Sequence, residues 1–208
     1  MRLLAVSDQV GEALYSALVG ELLGPIDLIL GCGDLPYWYL EFLLTALDAP
    51  LYYVHGNHDP LVEYSTQSGT KTCPGGGVNV DRQTVVDRGL IIGGLEGCVR
   101  YKPDARHQYT QEEMRLRACA LLPQLVWNRI SYGRWLDVLI AHAPPLGIHN
   151  GPDRVHTGFE VYLDLMRYFR PRYLLHGHTH VGRSGTCETC YLNTTVINVY
   201  PYRVVEIA

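Results

Sequence analysis

Charge is scarce in this sequence. Asp, Glu, Lys and Arg together make up 18% of the 208 residues, and the formal net charge at pH 7 is -4. A protein that follows a nucleic-acid backbone draws most of its affinity from a basic surface, so this composition argues against nucleic acid as a partner. The sequence has no acidic tail either.

Long apolar runs are missing as well. No stretch approaches the roughly 20 apolar residues that span a bilayer. Residues 1–8 carry too short an apolar run for a signal peptide and reach an acid at once. We therefore expect no membrane association and a cytoplasmic location. Because the chain has no internal repeat and no linker, we expect one domain over residues 1–208, and the sequence leaves a homo-oligomer open.

Paired cysteines are nearly absent. Of the 6 cysteines only Cys187 and Cys190 form a CxxC pair, and no second pair completes a four-cysteine zinc site. In a cytosolic chain we expect reduced thiols, mostly buried as small apolar groups. A local disulfide or redox pair at positions 187 and 190 is the alternative.

What the sequence does contain is an alternation of strand and helix patterns. Its N-terminal part predicts a β-α-β-α-β order, with strands at residues 2–7, 27–30 and 49–53 and helices at residues 11–23 and 37–47. This order implies parallel strands joined by right-handed crossovers.

The middle of the chain predicts shorter elements. We expect an exposed loop at residues 65–77, short antiparallel strands at 78–80, 84–86 and 90–92, and a second loop at 93–109. Thr110 and Glu113 form the pattern of a capping box, which predicts the start of a helix. Pro123 lies inside that helix pattern and should kink it.

The last third returns to strands that end in polar turns. Strands are predicted at residues 136–141 and 172–175, and a helix between them should begin at a second capping box, Thr157 with Glu160. Residues 191–199 and 202–207 alternate between apolar and polar, which predicts a closing antiparallel pair.

Residues able to bind metal follow five of the predicted core strands. They are Asp8, Asp34, Asn57 with His58, His142, and His178 with His180. In open α/β sheets, ligand sites lie beyond the carboxyl ends of the strands. A chance distribution would scatter acids and histidines over helices and both sheet ends, so this placement predicts one shared site.

The set of candidate ligands mixes imidazole and oxygen donors and contains no thiolate. This argues against a structural zinc site and for a catalytic site that holds Mn, Fe, Zn or a similar metal. Six or so ligands are too many for one ion with an open position but suit two divalent ions that share a carboxylate. Two ions about 3.5–4 Å apart can clamp a phosphoryl group and activate a bridging hydroxide. The sequence therefore predicts a phosphoester hydrolase.

The order and spacing of these residues resemble the motif series of the calcineurin-like metallophosphoesterases. The matching motifs are Asp8, Gly33-Asp34, Gly56-Asn57-His58-Asp59, His142 and Gly177-His178-Thr179-His180. The resemblance implies a mixed α/β fold, a four-layer αββα sandwich in which two mixed β-sheets pack face to face with helices outside.

The resemblance also implies roles for single residues. Asp34 would bridge the two ions, Asp8 and His180 would hold the first ion, and Asn57, His142 and His178 would hold the second. His58 would contact the phosphate and protonate the leaving oxygen, with Asp59 orienting it.

Other polar residues allow two interpretations each. Arg100 and His156 lie in loops near the expected site and are candidate substrate contacts, although an exposed arginine and a solvated histidine are the commoner outcomes. For His55 and His176 we expect hydrogen-bonded positions in the core or beside the ligands.

One position departs from the family pattern. The first motif usually has a histidine two residues after the aspartate, and here the sequence is Asp8-Gln9-Val10. Valine cannot bind a metal ion, so the first ion would lack a protein ligand. Along an extended segment residues 8 and 10 share a side, so we expect Val10 to face the metal and Gln9 to point away.

Two functions follow from these observations. The first is a binuclear-metal-dependent phosphoesterase that hydrolyses a small-molecule phosphodiester or phosphomonoester with a metal-bridging hydroxide as nucleophile. The alternative is a catalytically weakened member of the same fold that serves as an interaction or scaffold module. Val10 favours the alternative, whereas His58, retained in its motif, favours the enzyme.

Overall fold

The computed structural model describes residues 1–65, 69–180 and 187–207. The helices are α1 (Val19–Leu23), α2 (Tyr37–Leu47), α3 (Gln111–Cys119), α4 (Leu122–Tyr132) and α5 (Val161–Phe169). The strands are β1 (Arg2–Val6), β2 (Leu28–Gly31), β3 (Leu51–Tyr53), β4 (Glu63–Ser65), β5 (Gly69–Lys71), β6 (Gly77–Asn79), β7 (Thr84–Asp87), β8 (Leu90–Leu95), β9 (Cys98–Val99), β10 (Gln108–Tyr109), β11 (Val138–Ala141), β12 (Tyr173–His176), β13 (Glu188–Tyr191), β14 (Thr194–Asn198) and β15 (Tyr202–Glu206).

Two mixed sheets form the centre of the molecule. The first has the strand order β15-β1-β2-β3-β6 and is parallel except for the edge strand β15. The second has the order β13-β14-β12-β11-β8-β7, and its four inner strands are parallel while β13 and β7 run antiparallel at the edges. The parallel strands of each sheet therefore end at a common edge.

The two sheets pack face to face. Alternate residues of β1 point to opposite sides, so Leu3 contributes to the core between the sheets and Leu4 to the core under α1 and α2. In the second sheet Val138 faces the first sheet, and Leu139 faces the core under α3, α4 and α5. Three buried cores separate four layers, which confirms the predicted αββα sandwich. The interpretation of residues 1–208 as one domain stays a prediction.

Local elements were predicted unevenly. The helix at residues 37–47 is present as α2, and the capping box of Thr110 and Glu113 is formed at the start of α3. The helix expected at residues 11–23 is wrong in extent, because only α1 is helical. Ahead of it the Ser16 hydroxyl accepts a hydrogen bond from the Leu18 N–H at 3.2 Å, a local contact that competes with helix formation.

The middle of the chain differs from its prediction in strand direction. The strand predicted at 78–80 is β6, and it joins β3 in parallel rather than forming an antiparallel group with the strands that follow. The antiparallel pair of β7 and β8 is confirmed. The first predicted loop contains β5, which pairs with β4 at the start of the loop, and the second contains the paired strands β9 and β10.

Helix starts were harder to predict than helices. The kink expected at Pro123 is instead a break: α3 ends at Cys119, and Pro123 lies in the first turn of α4, where a missing N–H leaves no hydrogen bond unmade. The second capping box is wrong. The Thr157 hydroxyl donates to the backbone carbonyls of Asp153 and Arg154, and α5 begins without a side-chain cap.

The C-terminal segment joins the two sheets. The closing antiparallel pair predicted from residues 191–199 and 202–207 is wrong, because β14 pairs with β12 in the second sheet and β15 pairs with β1 in the first. The alternation of apolar and polar residues could predict both strands. It could not predict that the chain crosses from one sheet to the other between them.

The cysteines are free thiols, including Cys187 and Cys190, so the local disulfide is absent from the structure. The expectation that most of them are buried is wrong. Only Cys32 and Cys98 are buried, whereas Cys73, Cys119 and Cys190 are exposed. Within the described ranges no helix is long and apolar enough to cross a membrane.

Candidate metal centre

Turns at the carboxyl ends of the parallel strands meet at one edge of both sheets. Asp8 and Asp34 follow β1 and β2 of the first sheet, Asn57 follows β3, and His142 and His178 follow β11 and β12 of the second sheet. The structure brings these five side chains together. The site therefore depends on how the two sheets are placed relative to each other.

Backbone conformation at these turns aims the side chains. Asp8, Asp34 and His178 have left-handed backbones, with φ of 65°, 57° and 65°. Such a conformation is uncommon outside glycine and concentrates at functional sites. The glycines of the motifs supply room: a β-carbon on Gly56 would collide with the Asp34 carboxylate, and one on Gly177 would collide with that of Asp8.

The tightest part of the site surrounds the Nε2 atom of His142. It lies 3.0 Å from Asn57 Oδ1, 3.1 Å from His178 Nδ1 and 3.3 Å from Asp34 Oδ2. Ligand atoms that share one ion at about 2.1 Å lie about 3.0–3.4 Å apart. Each of these three distances matches the spacing between two ligands of one ion, and the four residues are those that the resemblance places around the second ion.

The remaining two candidates lie beside this group. His180 Nε2 is 3.6 Å from Asp8 Oδ1. Asp8, Asp34 and His142 each offer a donor atom, and these atoms lie within 4.8 Å of one another. Asp34 thus stands between the two sets, as a bridging ligand would.

The electrostatics of this cluster favour a cation. Burial opposes charge on His142, but Asp34 and Asp8 outweigh it and raise the pKa of the imidazole to about 9. Burial also opposes charge on Asp8, yet contacts with His180 and His142 lower its pKa to about 2. In the described part of the chain no lysine or arginine forms an ion pair with Asp8 or Asp34. The His142 Nε2 proton therefore occupies the place that suits a metal ion, and binding would displace it.

Backbone carbonyls fix the orientation of both buried histidines. His142 donates from Nδ1 to the Cys32 carbonyl at 2.9 Å, and His178 donates from Nε2 to the Val155 carbonyl at 3.0 Å. These bonds leave His142 Nε2 and His178 Nδ1 as the atoms that face the donor cluster. Sequence analysis missed these partners, because a carbonyl carries no signal in residue identity.

His58 lies at the mouth of the site. Its backbone N–H donates to Asp34 Oδ1 at 2.7 Å, and the residue is exposed. No hydrogen bond reaches its ring in the portion of the chain that is described. The backbone of His58 is therefore held against the Asp34 carboxylate, and its exposed side chain is accessible to a substrate.

The Asp59 carboxylate, expected to orient His58, binds backbone N–H groups instead. It accepts backbone N–H bonds from Gly56 at 2.6 Å, Leu35 at 2.9 Å and Asp34 at 3.1 Å. Over the described residues no hydrogen bond joins it to the His58 ring. Its contacts tie the turn after β3 to the turn after β2, and this favours a structural role over orientation of His58.

The structure places the two candidate substrate contacts, Arg100 and His156, differently. The Arg100 guanidinium is held by the Gln108 carbonyl at 3.1 Å and by Glu113 at 2.8 Å, so the structure does not direct it into the site. Its role as a substrate contact therefore stays a prediction, and in this structure its ion-pair partner is Glu113 on α3. His156 does reach the site: its ring lies 4.9 Å from that of His178, and Asp153 holds its Nδ1 at 2.8 Å.

The expectation for Val10 is also wrong. Val10 packs against the core under α1 and α2, and Gln9 Oε1 accepts a hydrogen bond from the Tyr200 hydroxyl at 2.8 Å. Alternation fails here because Asp8 is left-handed and the Gln9 N–H turns back to the Ser7 carbonyl at 2.7 Å. The directions of Gln9 and Val10 therefore do not follow the alternation of an extended strand.

Tyr101 is a further residue that sequence analysis missed. Its hydroxyl accepts a hydrogen bond from Asn57 Nδ2 at 3.2 Å, which leaves Asn57 Oδ1 directed at His142. Only the three-dimensional structure brings this residue, from a predicted loop, to the site.

The other two histidines form hydrogen bonds as expected. His176 donates from Nδ1 to the Gly177 carbonyl and contacts His149 through Nε2, both at 3.0 Å. His55 contacts Glu96 at 3.2 Å. His55, Glu96 and His107 form a second group whose side chains could hold a metal ion. However, the Arg117 guanidinium already lies 2.8 Å from Glu96. That positive charge opposes a cation there, so we interpret the group as an ion-pair network.

The sequence as a whole matches a known family. The sequence model of the calcineurin-like phosphoesterases matches residues 1–182, and the chain belongs to this family. Members are hydrolases of phosphoesters that use divalent metals, which agrees with the candidate ligand cluster around Asp8, Asp34 and His142. A search of curated proteins finds no match.

Several solved structures share the fold at low sequence identity. TT1561 of Thermus thermophilus superposes with a TM-score of 0.63 at 17% identity, covering 95% of this chain and 88% of that one. The phosphopantetheinyl hydrolase PptH of Mycobacterium tuberculosis gives 0.59 at 17% identity with the same coverage. GAP50, the anchor in the inner membrane complex of Plasmodium, gives 0.51 at 12% identity, covering 95% and 70%. These likenesses concern the fold alone.

Proposed function

We propose that this chain is a binuclear-metal-dependent phosphoesterase that hydrolyses a small-molecule phosphodiester or phosphomonoester. The observation that carries the proposal is the cluster around His142 Nε2, where Asn57, His178 and Asp34 place donor atoms at 3.0–3.3 Å. Buried carboxylates and imidazoles at this spacing, without an arginine or lysine among their described ion-pair partners, form a site for divalent cations.

Two ions would divide the ligands as follows. The second would bind Asn57, His142 and His178, the first would bind Asp8 and His180, and Asp34 would contact both. The mixed imidazole and oxygen donors suit Mn, Fe, Zn or a similar metal. When bound, such ions polarise phosphoryl oxygens and supply a hydroxide as nucleophile.

His58 is the proposed proton donor to the leaving oxygen. Its position beside Asp34 and its exposed ring support this role, because a general acid must reach the substrate without being consumed as a ligand. His156, at the rim against His178, is the proposed substrate contact. A small substrate fits the low charge of the chain, which offers little attraction to a polyanion.

A scaffold function remains the second candidate, and one observation favours it. Position 10 is a valine that packs against the core under α1 and α2, so among the described residues the first ion would have only Asp8 and His180 beside the shared Asp34. The names of the structural neighbours span both possibilities, since one is a hydrolase and another an anchor. His58 and the complete second set favour the enzyme.

One experiment separates the two candidates. Metal content of the purified protein is measured, and a panel of chromogenic phosphate monoesters and diesters is assayed with added Mn²⁺. The enzyme predicts two ions per chain and turnover that disappears on chelation. Bound metal with no turnover on any ester would favour the scaffold, and the preferred ester would show whether the protein is a phosphatase or a phosphodiesterase.

A further inference from the structure

His180 is the least supported of the proposed ligands. Its side chain is 61% exposed, whereas that of Asp8, its partner, is 4% exposed. An exposed histidine side chain samples several rotamers, and fixing one of them when a metal binds costs conformational entropy. Burial therefore does not hold His180 against Asp8, and another contact has to do so.

The ring of Tyr200 supplies that contact. It stacks on the His180 ring with centroids 4.3 Å apart and an angle of 12° between the planes. This is a closer and more nearly parallel pair than the His142–His178 rings, which lie 4.8 Å apart at 60°. The stack covers one face of His180 and restricts its rotation.

Tyr200 is itself fixed at two points. Its hydroxyl donates to Gln9 Oε1 at 2.8 Å, and its backbone N–H donates to Asn198 Oδ1 at 3.0 Å. Asn198 is buried and donates from Nδ2 to the Thr179 carbonyl at 2.7 Å. Tyr200 is thus connected to Gln9, which follows Asp8, and through Asn198 to Thr179, which precedes His180.

Gln9, which binds Tyr200, is next to the position that departs from the family pattern. Gln9 lies between Asp8, a proposed ligand, and Val10, which takes the place of the missing histidine. The left-handed backbone of Asp8 turns Gln9 toward Tyr200 and Val10 toward the core. This turn therefore places an amide where it can hold Tyr200, next to the position at which the family's histidine is missing.

We propose that Tyr200 and Gln9 are positioning residues for His180. They hold its ring beside Asp8 before a metal arrives, so that a first site with fewer protein ligands loses less freedom on binding. The inference rests on the proposed function, because it assigns the first ion to Asp8 and His180.

Calorimetric titration of the metal-free protein with Mn²⁺ tests the inference. Tyr200→Leu removes the stack and should weaken the weaker of two sites about tenfold, the lower end of what losing a partner of a metal ligand does. Tyr200→Phe keeps the ring and loses only the bond to Gln9, so it should weaken that site about threefold, and Gln9→Ala should match it. The double variant should equal either single one, because both remove the same bond. The stronger site should be unchanged throughout.

A matched control is Tyr168→Leu, which removes an exposed tyrosine on α5 and should leave both affinities unchanged. NMR of the metal-free protein gives a second readout. Ring protons of His180 should show an upfield shift from the facing Tyr200 ring, retained in Tyr200→Phe and lost in Tyr200→Leu. Gln9 is exposed, so Gln9→Ala keeps the test valid if Tyr200→Leu fails to fold.

Three results with Tyr200→Leu would overturn the inference, and so would one result with the unaltered protein. Two ions with unchanged affinities in Tyr200→Leu would leave the proposed function standing and remove the role of Tyr200. Equal weakening of both sites would show a general structural effect instead. Unchanged metal affinity with a raised KM would place Tyr200 against the substrate rather than His180. If the unaltered protein binds no Mn²⁺, the proposed function fails and this inference fails with it.

Discussion

The imidazole of His142 lies 3.3 Å from the carboxylate of Asp34, although the two residues end strands of different sheets. Both are nearly inaccessible, with side-chain exposures of 0% and 8%. In the metal-free protein this pair supplies part of the attraction between the sheets at the site, and the metal-bound protein would replace the proton between them with an ion. Its pH behaviour is therefore a direct test of the site.

The first prediction concerns stability of the metal-free protein at high pH. The pKa of His142 is raised to about 9 because the pull of Asp34 and Asp8 exceeds the opposing effect of burial. Its contribution is complete below the unfolded value of about 6.5 and is lost as pH rises through about 9. Urea unfolding in EDTA should show a fall in the free energy of unfolding between pH 6 and pH 9.5.

The control is His142→Gln, which cannot titrate. It should be less stable at pH 6 but lose less stability over the same pH interval, with a difference between the two proteins of at least about 1 kcal/mol. Parallel curves for the two proteins would show that His142 is neutral in the metal-free state.

The second prediction concerns the proton donor. His58→Ala should keep its metal content and lose about 10²–10⁴-fold in turnover, the usual effect of losing a general acid. Esters with acidic leaving groups need less protonation and should lose less. Metal analysis and kcat across a leaving-group series check this, and a variant that loses its metals instead would contradict the role assigned to His58.

The third prediction separates the bridging ligand from a single-ion ligand. Asp34→Ala should abolish the two-ion arrangement, because this carboxylate stands between the two sets of donors. Asn57→Ala should weaken mainly the second ion. Calorimetry with Mn²⁺ distinguishes the cases, and two ions bound at normal affinity in Asp34→Ala would refute the assignment.

The fourth prediction concerns position 10. A histidine at position 10 would match the family pattern, but this partly buried side chain packs against the core under α1 and α2. We now expect unchanged Mn²⁺ affinity and a loss of about 1–3 kcal/mol in unfolding free energy, because an imidazole would enter an apolar cluster. Titration and denaturation of the same sample measure both. A selective gain in affinity would show that Asp8 can adopt a second conformation.

Much of the fold could be predicted because its signals are local. The helix at Tyr37–Leu47 follows from a continuous apolar pattern, and the start of α3 follows from Thr110 and Glu113 three residues apart. Pairing partners could not be predicted in the same way. Strands β14 and β15 alternate correctly, but their sheets differ because the choice of a neighbour depends on contacts far away in the chain.

By itself the sequence determined which residues could form the site. Asp8, Asp34, Asn57, His142 and His178 each follow a strand, and parallel strands bring their carboxyl ends to one edge, so within each sheet these side chains had to lie close together. This conclusion needs only the order of the elements and the chemistry of the residues.

Only the tertiary structure decided where the remaining side chains point. One left-handed backbone at Asp8 exchanges the directions of Gln9 and Val10, and a carboxylate on α3 binds Arg100 away from the site. Side-chain direction depends on single backbone angles and on partners distant in sequence, whereas residue patterns record periodicity and identity. For that reason the candidate ligands could be predicted and the contacts that hold them in place could not.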